Sequence, residues 1–156
     1  MALQPEKTYA FYGWETALIH ARHPEFPGVD TPRDLYDLLL NCWDLDTCAP
    51  RLLAKWSKDN PTWGQCSITA FLVQDIYGGR VYGVPLPEGG FHCYNDVDGC
   101  VFDLTSEQFG TEKLNYTSNP EQLRTTHFAD QNKYARYCLL KERLLSKINA
   151  PQDRKE

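Results

Sequence analysis

A chain of 156 residues with a net charge of −5 is long enough to bury one substantial core and too acidic to offer a phosphate-binding stripe, so nucleic acid is excluded as a partner. No apolar run approaches the roughly 20 residues needed to cross a bilayer, and residues 1–6 lack the basic-then-apolar pattern of a secretion signal, so no membrane partner is expected and the predicted location is the cytoplasm. The six cysteines are accordingly expected as free thiols.

Residues 1–8 read as a loose leader, 9–149 as a single domain and 150–156 as a mobile tail. The aromatic run from Tyr9 to His23 predicts a weak helix in its second half, ending before Pro24. Glu25 to Asp30, with Pro27 and Gly28, reads as a loop. Thr31 is placed to cap a helix that begins with Pro32 and carries Asp34 in its first turn, with Leu35, Leu38, Leu39 and Trp43 behind it. Asp46 and Thr47 offer a second cap, followed by Pro50, Leu52, Leu53 and Trp56. These two short helices are expected to cover the back of the next one, with Cys42 and Cys48 as packing residues.

That next helix organises the chain. Pro61-Thr62-Trp63-Gly64-Gln65-Cys66 reads as a loop running into Ser67–Tyr77, which is apolar on nearly every side and stops at Gly78-Gly79, where Gly78 suits a left-handed cap. Cys66 falls on the first turn, where the helix dipole and unpaired N–H groups favour thiolate over thiol. The plainer alternative is a small buried hydrophobe.

Arg80 to Val84 reads as a strand, Pro85 to Gly90 as a loop, and Phe91 to Val97 with Cys100 to Thr105 as a hairpin about Asp98-Gly99. A short helical turn follows at Thr105 to Phe109, then polar turns to Thr126. Asp130 is placed to cap a helix from about 131 to 148, with Tyr134, Tyr137, Cys138, Leu140, Leu144, Leu145 and Ile148 as its apolar stripe. Lys133, Arg136, Lys141, Arg143 and Lys147 read as its solvated face.

The hairpin register pairs Val97 with Cys100, Asn95 with Phe102 and Tyr94 with Asp103, which puts His92 on the same face as Asp103 and diagonal to it. If the helix start packs against the open end of the hairpin, Cys66 becomes a nucleophile, His92 its base and later acid, and Asp103 the group that orients the imidazole. The oxyanion would be met by the Cys66 backbone N–H and a side chain from Asn60, Trp63 or Gln65. Tyr94 and Asn95 are read as supporting residues. Asp103 could instead simply cap the turn at Thr105, and His92 could be an ordinary hydrogen-bonded histidine. A metal site from Cys66, His92, Cys93 and Cys100 is disfavoured, because Cys93 and Cys100 are expected on the opposite face from His92 and no Cys-x-x-Cys pair exists. No metal and no cofactor is expected.

Gly64-Gln65-Cys66 at a helix start, His92-x-Tyr94 and Gly99-x-x-x-Asp103-x-Thr105 resemble the transglutaminase-like branch of papain-like thiol enzymes. The animal transglutaminases carry the same Gly-Gln-Cys tripeptide, with tryptophan where this chain has Ser67. The stretch from Trp63 to Phe109, including Gln74-Asp75, Gly78-Gly79, Asn95 and Gln108-Phe109, is more closely similar to the YunG-like family of small uncharacterised bacterial proteins. The resemblance implies an α+β fold in which a central buried helix carries the cysteine at its N-terminus and packs on a small antiparallel sheet, a papain-like or transglutaminase-like core with additional N- and C-terminal helices. It also implies a Cys66-His92-Asp103 triad but no substrate. The function expected of such a triad is cysteine-dependent acyl transfer on a peptide or small amide, as in an amidase, peptidase or deamidase. A catalytically silent domain of the same fold that binds a protein or peptide is the alternative.

Overall fold

The helix that carries Cys66 is the most enclosed element. The computed structural model describes residues 7–149; residues 1–6 and 150–156, with most of the expected leader and all of the expected tail, lie outside the described residues. In α2 (Cys66–Tyr77) nine of twelve residues are buried, as an all-round apolar sequence requires. It ends at Gly78, whose φ of 79° is positive, but whose ψ of −150° belongs to extended rather than left-handed helical backbone.

Around α2 the chain forms an α+β fold with a four-stranded antiparallel sheet in the order β3-β2-β1-β4: β1 (Arg80–Pro85), β2 (Phe91–Val97), β3 (Cys100–Phe102) and β4 (Glu121–Gln122). Cys93, Asn95 and Val97 are buried on one face of β2, where the Asn95 side-chain amide donates to the Ala70 carbonyl of α2 at 2.9 Å. His92 and Tyr94 are buried on the other face, because the chain after β3 returns across it: the Tyr94 hydroxyl donates to the Tyr116 carbonyl at 3.3 Å. The hairpin turn has positive φ at both Asp98 (54°) and Gly99 (86°), as a two-residue connection between twisted strands prefers.

Capped helix α1 (Pro32–Leu39) begins where expected, with the Asp34 carboxylate accepting the Thr31 N–H at 3.0 Å. Leu35 and Leu39 enter the core, and the Trp43 indole donates to the Thr69 hydroxyl of α2 at 2.9 Å. On another side of α2, Asp75 accepts from Arg124 of α3 (Arg124–Phe128) at 2.8 Å and from the Tyr137 hydroxyl of α4 (Gln131–Asn149). Asp130 caps α4 by accepting the Lys133 N–H at 3.1 Å, and Tyr137, Leu140 and Leu144 supply its buried stripe; Tyr134 and Cys138 face outward.

Several local expectations are corrected. The second half of Tyr9–His23 is not helical: Tyr12 forms a β-bridge with Asp103, and Phe11 and Ala17, six residues apart, are the positions fully buried. The second short helix is a pair of 3-10 turns, Leu45–Thr47 capped by Asp44 and Pro50–Lys55 with no buried residue, so Pro50–Lys55 does not back α2. The hairpin ladder has the expected register but ends at Asn95 opposite Phe102, and the Asp103 N–H donates to the Tyr12 carbonyl at 3.0 Å instead of pairing with Tyr94. Within the stretch read as polar turns, β4 adds an edge strand to β1. No helix among the described residues is long and apolar enough to cross a membrane.

Candidate functional site

Delivery of Cys66 to the start of α2 depends on Gly64. Its φ is +74°, and a Cβ there would lie 2.5 Å from the Cys48 sulfur, so only glycine lets the loop cross Cys48 in this conformation. The Gly64 carbonyl is held by the Ala49 N–H at 3.0 Å. Cys66 is half-buried at the open end of β2, where its neutral thiol reaches the Phe91 carbonyl at 3.8 Å. The sulfur lies beside both the Cys93 thiol and the His92 ring. A hydrogen bond from Cys93 is the largest influence on it; burial opposes ionisation, and the His92 ring adds a hydrogen bond and positive charge. The balance holds Cys66 well below the ordinary thiol value. Burial pushes the fully enclosed Cys42 and Cys48 in the other direction, which fits their expected packing role.

The carboxylate of Asp103 is 1 % exposed and fully engaged. Oδ2 accepts from His92 Nε2 at 2.5 Å and from the Tyr116 hydroxyl at 2.7 Å, while Oδ1 accepts from the Thr105 N–H at 3.1 Å and its hydroxyl at 3.2 Å. Asp103 thus both caps the turn and orients the imidazole. With Nε2 committed, Nδ1 is the ring nitrogen left for the sulfur. Burial disfavours the imidazolium, but the Asp103 charge and hydrogen bond, with help from Cys66, win and push His92 up to about 10. Phe109 packs edge-on against the His92 ring, 4.7 Å between centroids.

Cys66 and His92 open on a cavity of about 480 Å³ whose walls include Pro50, Arg51 and Leu52, Trp63, Phe109, and His127, Lys133 and Arg136 from α3 and α4. Backbone N–H groups of Cys66 and Ser67, in the first turn of α2, donate to no carbonyl in the described residues. The three side chains expected as further oxyanion donors are placed otherwise. Trp63 walls the cavity but gives its indole N–H to the Leu52 carbonyl at 3.0 Å; Gln65 is fully buried and donates to the Asp44 carbonyl at 3.2 Å; Asn60 does not line the cavity. Tyr94 and Asn95 do not line it either, and serve the two faces of β2 as described.

Three features of the site escaped sequence reasoning. Cys93 lies on the opposite face of β2 from His92, as expected, but its place beside Cys66 was not foreseen: Cys66 stands at the strand's open end within reach of both faces. Tyr116 lies in a stretch without periodicity, so nothing marked it. Arg136 was read as solvated but is 8 % exposed, and Arg143 is also engaged, donating to the Cys42 carbonyl at 3.0 Å and to Asp46. Among the described residues no group of three or more His, Cys, Asp or Glu side chains could hold a metal ion, and Cys100 turns its thiol to the Thr16 carbonyl at 3.2 Å.

No solved structure matches the chain significantly. A protein of Bacillus subtilis (strain 168) described as "Uncharacterized protein YunG" is 35% identical over 97 residues, which cover 62% of this chain and 81% of that protein. The model of the family described as YunG protein matches residues 31–149, a span that holds α1 through α4 and every side chain of the site. The chain belongs to the YunG family.

Proposed function

We propose that the chain is a cysteine-dependent acyl-transfer enzyme of the amidase, peptidase or deamidase class, with a papain-like or transglutaminase-like core and a peptide or small amide as substrate. One observation carries this reading: a thiol held low at a helix start, beside an imidazole anchored on a buried carboxylate, opens on a cavity. The Cys66 thiolate attacks the amide carbonyl carbon, forming a C–S bond as the carbonyl electrons move to oxygen. Backbone N–H groups of Cys66 and Ser67 receive that oxyanion. The His92 imidazolium gives its proton to the leaving nitrogen, the C–N bond breaks, and an acyl-enzyme remains. Neutral His92 then takes a proton from water or an acceptor amine, which displaces the thiolate and restores the starting charges. Asp103 holds the ring throughout and exchanges no proton. Six free thiols fit a reducing compartment, which supports a cytoplasmic location.

The test is the pH dependence of Cys66 alkylation by iodoacetamide, read by mass spectrometry beside the other five cysteines and repeated in His92→Ala. Selective reaction of Cys66 well below pH 8, lost in the variant, is the expected result. A Cys66 no more reactive than Cys138 would sink the enzyme reading and leave a binding domain on the same fold.

A further inference from the structure

The part of the cavity wall built by α3 and α4 is cationic in a protein whose net charge is −5. Arg136 is 8 % exposed, a degree of burial at which a guanidinium normally has a carboxylate partner. Here it has none among the described residues. Its Nε donates to the Asn132 side-chain oxygen at 2.8 Å and its Nη1 to the Thr47 carbonyl at 3.2 Å, and Nη2 has no hydrogen-bond partner among the described residues. Lys133 is half-buried and likewise forms no ion pair among the described residues. Its ammonium donates to His127 Nδ1 at 2.9 Å, and His127 Nε2 is engaged with the Gln122 side-chain oxygen at 2.8 Å. Burial, then the Lys133 charge, push His127 below its ordinary value, so it is a neutral acceptor and adds nothing to offset the two cations.

Two carboxylates also line the cavity, Asp130 and Glu88, with Arg51 as a third cation. Asp130 is committed to capping α4 and reaches Arg136 only through space. Buried cations without internal counterions are costly, and the cost is recovered when an anion from outside completes them.

We propose that the substrate is an amide that also bears a carboxylate, held by Arg136 Nη2 and Lys133 Nζ while its amide carbonyl meets Cys66. This assignment rests on Cys66 being the nucleophile. It makes Arg136 and Lys133 the residues that select substrate, in a chain whose overall charge repels anions. The neutral thiolate-imidazolium pair contributes no net charge to the selection.

Two alkylating probes with one reactive group test it: N-iodoacetylglycine, which ends in a carboxylate, and N-iodoacetylglycinamide, which ends in a neutral amide. The expected result is Cys66 labelling about tenfold faster by the carboxylate probe, with no such preference at exposed Cys138. The preference falls to near unity in Arg136→Gln and severalfold in Lys133→Gln, and it survives in Arg136→Lys. Lys133, being half-buried, keeps the test alive if Arg136→Gln does not fold. Equal rates with the two probes in the wild type, or a preference unchanged in Lys133→Gln and in any folded Arg136→Gln, overturn the assignment while leaving a reactive Cys66 standing. A Cys66 inert to both probes removes the nucleophile and this assignment together.

Discussion

The cavity has two unlike walls. On the side of α2, β2 and the chain after β3, the Asp103 carboxylate has four donors and the His92 ring has a fixed partner; Asp103, His92 and Thr105 are buried and Tyr116 is half-buried. On the side of α3 and α4, the hydrogen-bond partners of two cations among the described residues are all neutral. A closed network sets its own proton affinities and rewards folding; an open one leaves part of its electrostatic energy to a ligand. The contrast predicts that the walls separate experimentally. Variants of the first should move Cys66 reactivity with pH and protein stability, and variants of the second should move the choice between charged and neutral probes.

Asp103→Ala should have the largest effect. It removes the group that keeps the buried His92 ring charged and leaves the Tyr116 hydroxyl and both Thr105 donors without their acceptor, and losing one partner of a buried charged pair costs about 3–5 kcal/mol. Urea denaturation at pH 7 should show the loss. Its pH dependence has a defined sign, because His92 is raised to about 10 in the folded protein from an unfolded value near 6.5. The stabilisation is fully present below the unfolded value and disappears as pH rises through about 10. The gap between wild type and variant should therefore narrow from pH 7 to pH 10, and a constant gap would show that Asp103 acts by packing alone.

Cys93→Ala comes next and divides the closed wall from within. Cys93 is the largest single influence holding Cys66 low, so its removal should raise the pH midpoint of Cys66 alkylation while leaving the carboxylate-probe preference intact. A midpoint that stays put would mean that His92 alone prepares the thiolate.

The difference between the walls also explains what could be read in the sequence. Cys66 at a helix start and His92 on the face of Asp103 were legible because each follows from short-range geometry: a glycine-led helix start, a strand period of two, and an Asp98-Gly99 turn that fixes the register; the meeting of Cys66 with the pair was not, since it depends on how α2 packs on the hairpin. Even there, the partner of Asp103 in the ladder was misread, since Tyr12 arrives from 91 residues away and no local pattern announces it. Arg136 is the opposite case. Charges alternating along a helix say which side chains share a face, not which turn the rest of the fold will roof over. The 3-10 turn at Pro50–Lys55 had the cap and apolar spacing of a helix, but Leu53 is 40 % exposed, so the burial that would have stabilised an α-helix there never occurs.

Tyr116→Phe should have the smallest effect and gives the finest test of the closed wall. It deletes one neutral donor among the four on Asp103 and leaves the ring in place, so the stability loss should be about 1.5 kcal/mol by urea denaturation, the low end for a bond to a charged acceptor. The ring itself stacks on Tyr12, centroids 4.0 Å apart, and meets Tyr94 edge-on at 4.9 Å, contacts that phenylalanine retains. With one donor fewer, the carboxylate interacts more strongly with His92, which favours the imidazolium and through it the thiolate. Cys66 should thus remain as reactive at low pH as in the wild type, or become slightly more so, in a less stable protein. A fall in Cys66 reactivity would instead mean that the Tyr116 hydroxyl positions Asp103 rather than competing with His92 for it, and that the four donors act as one unit.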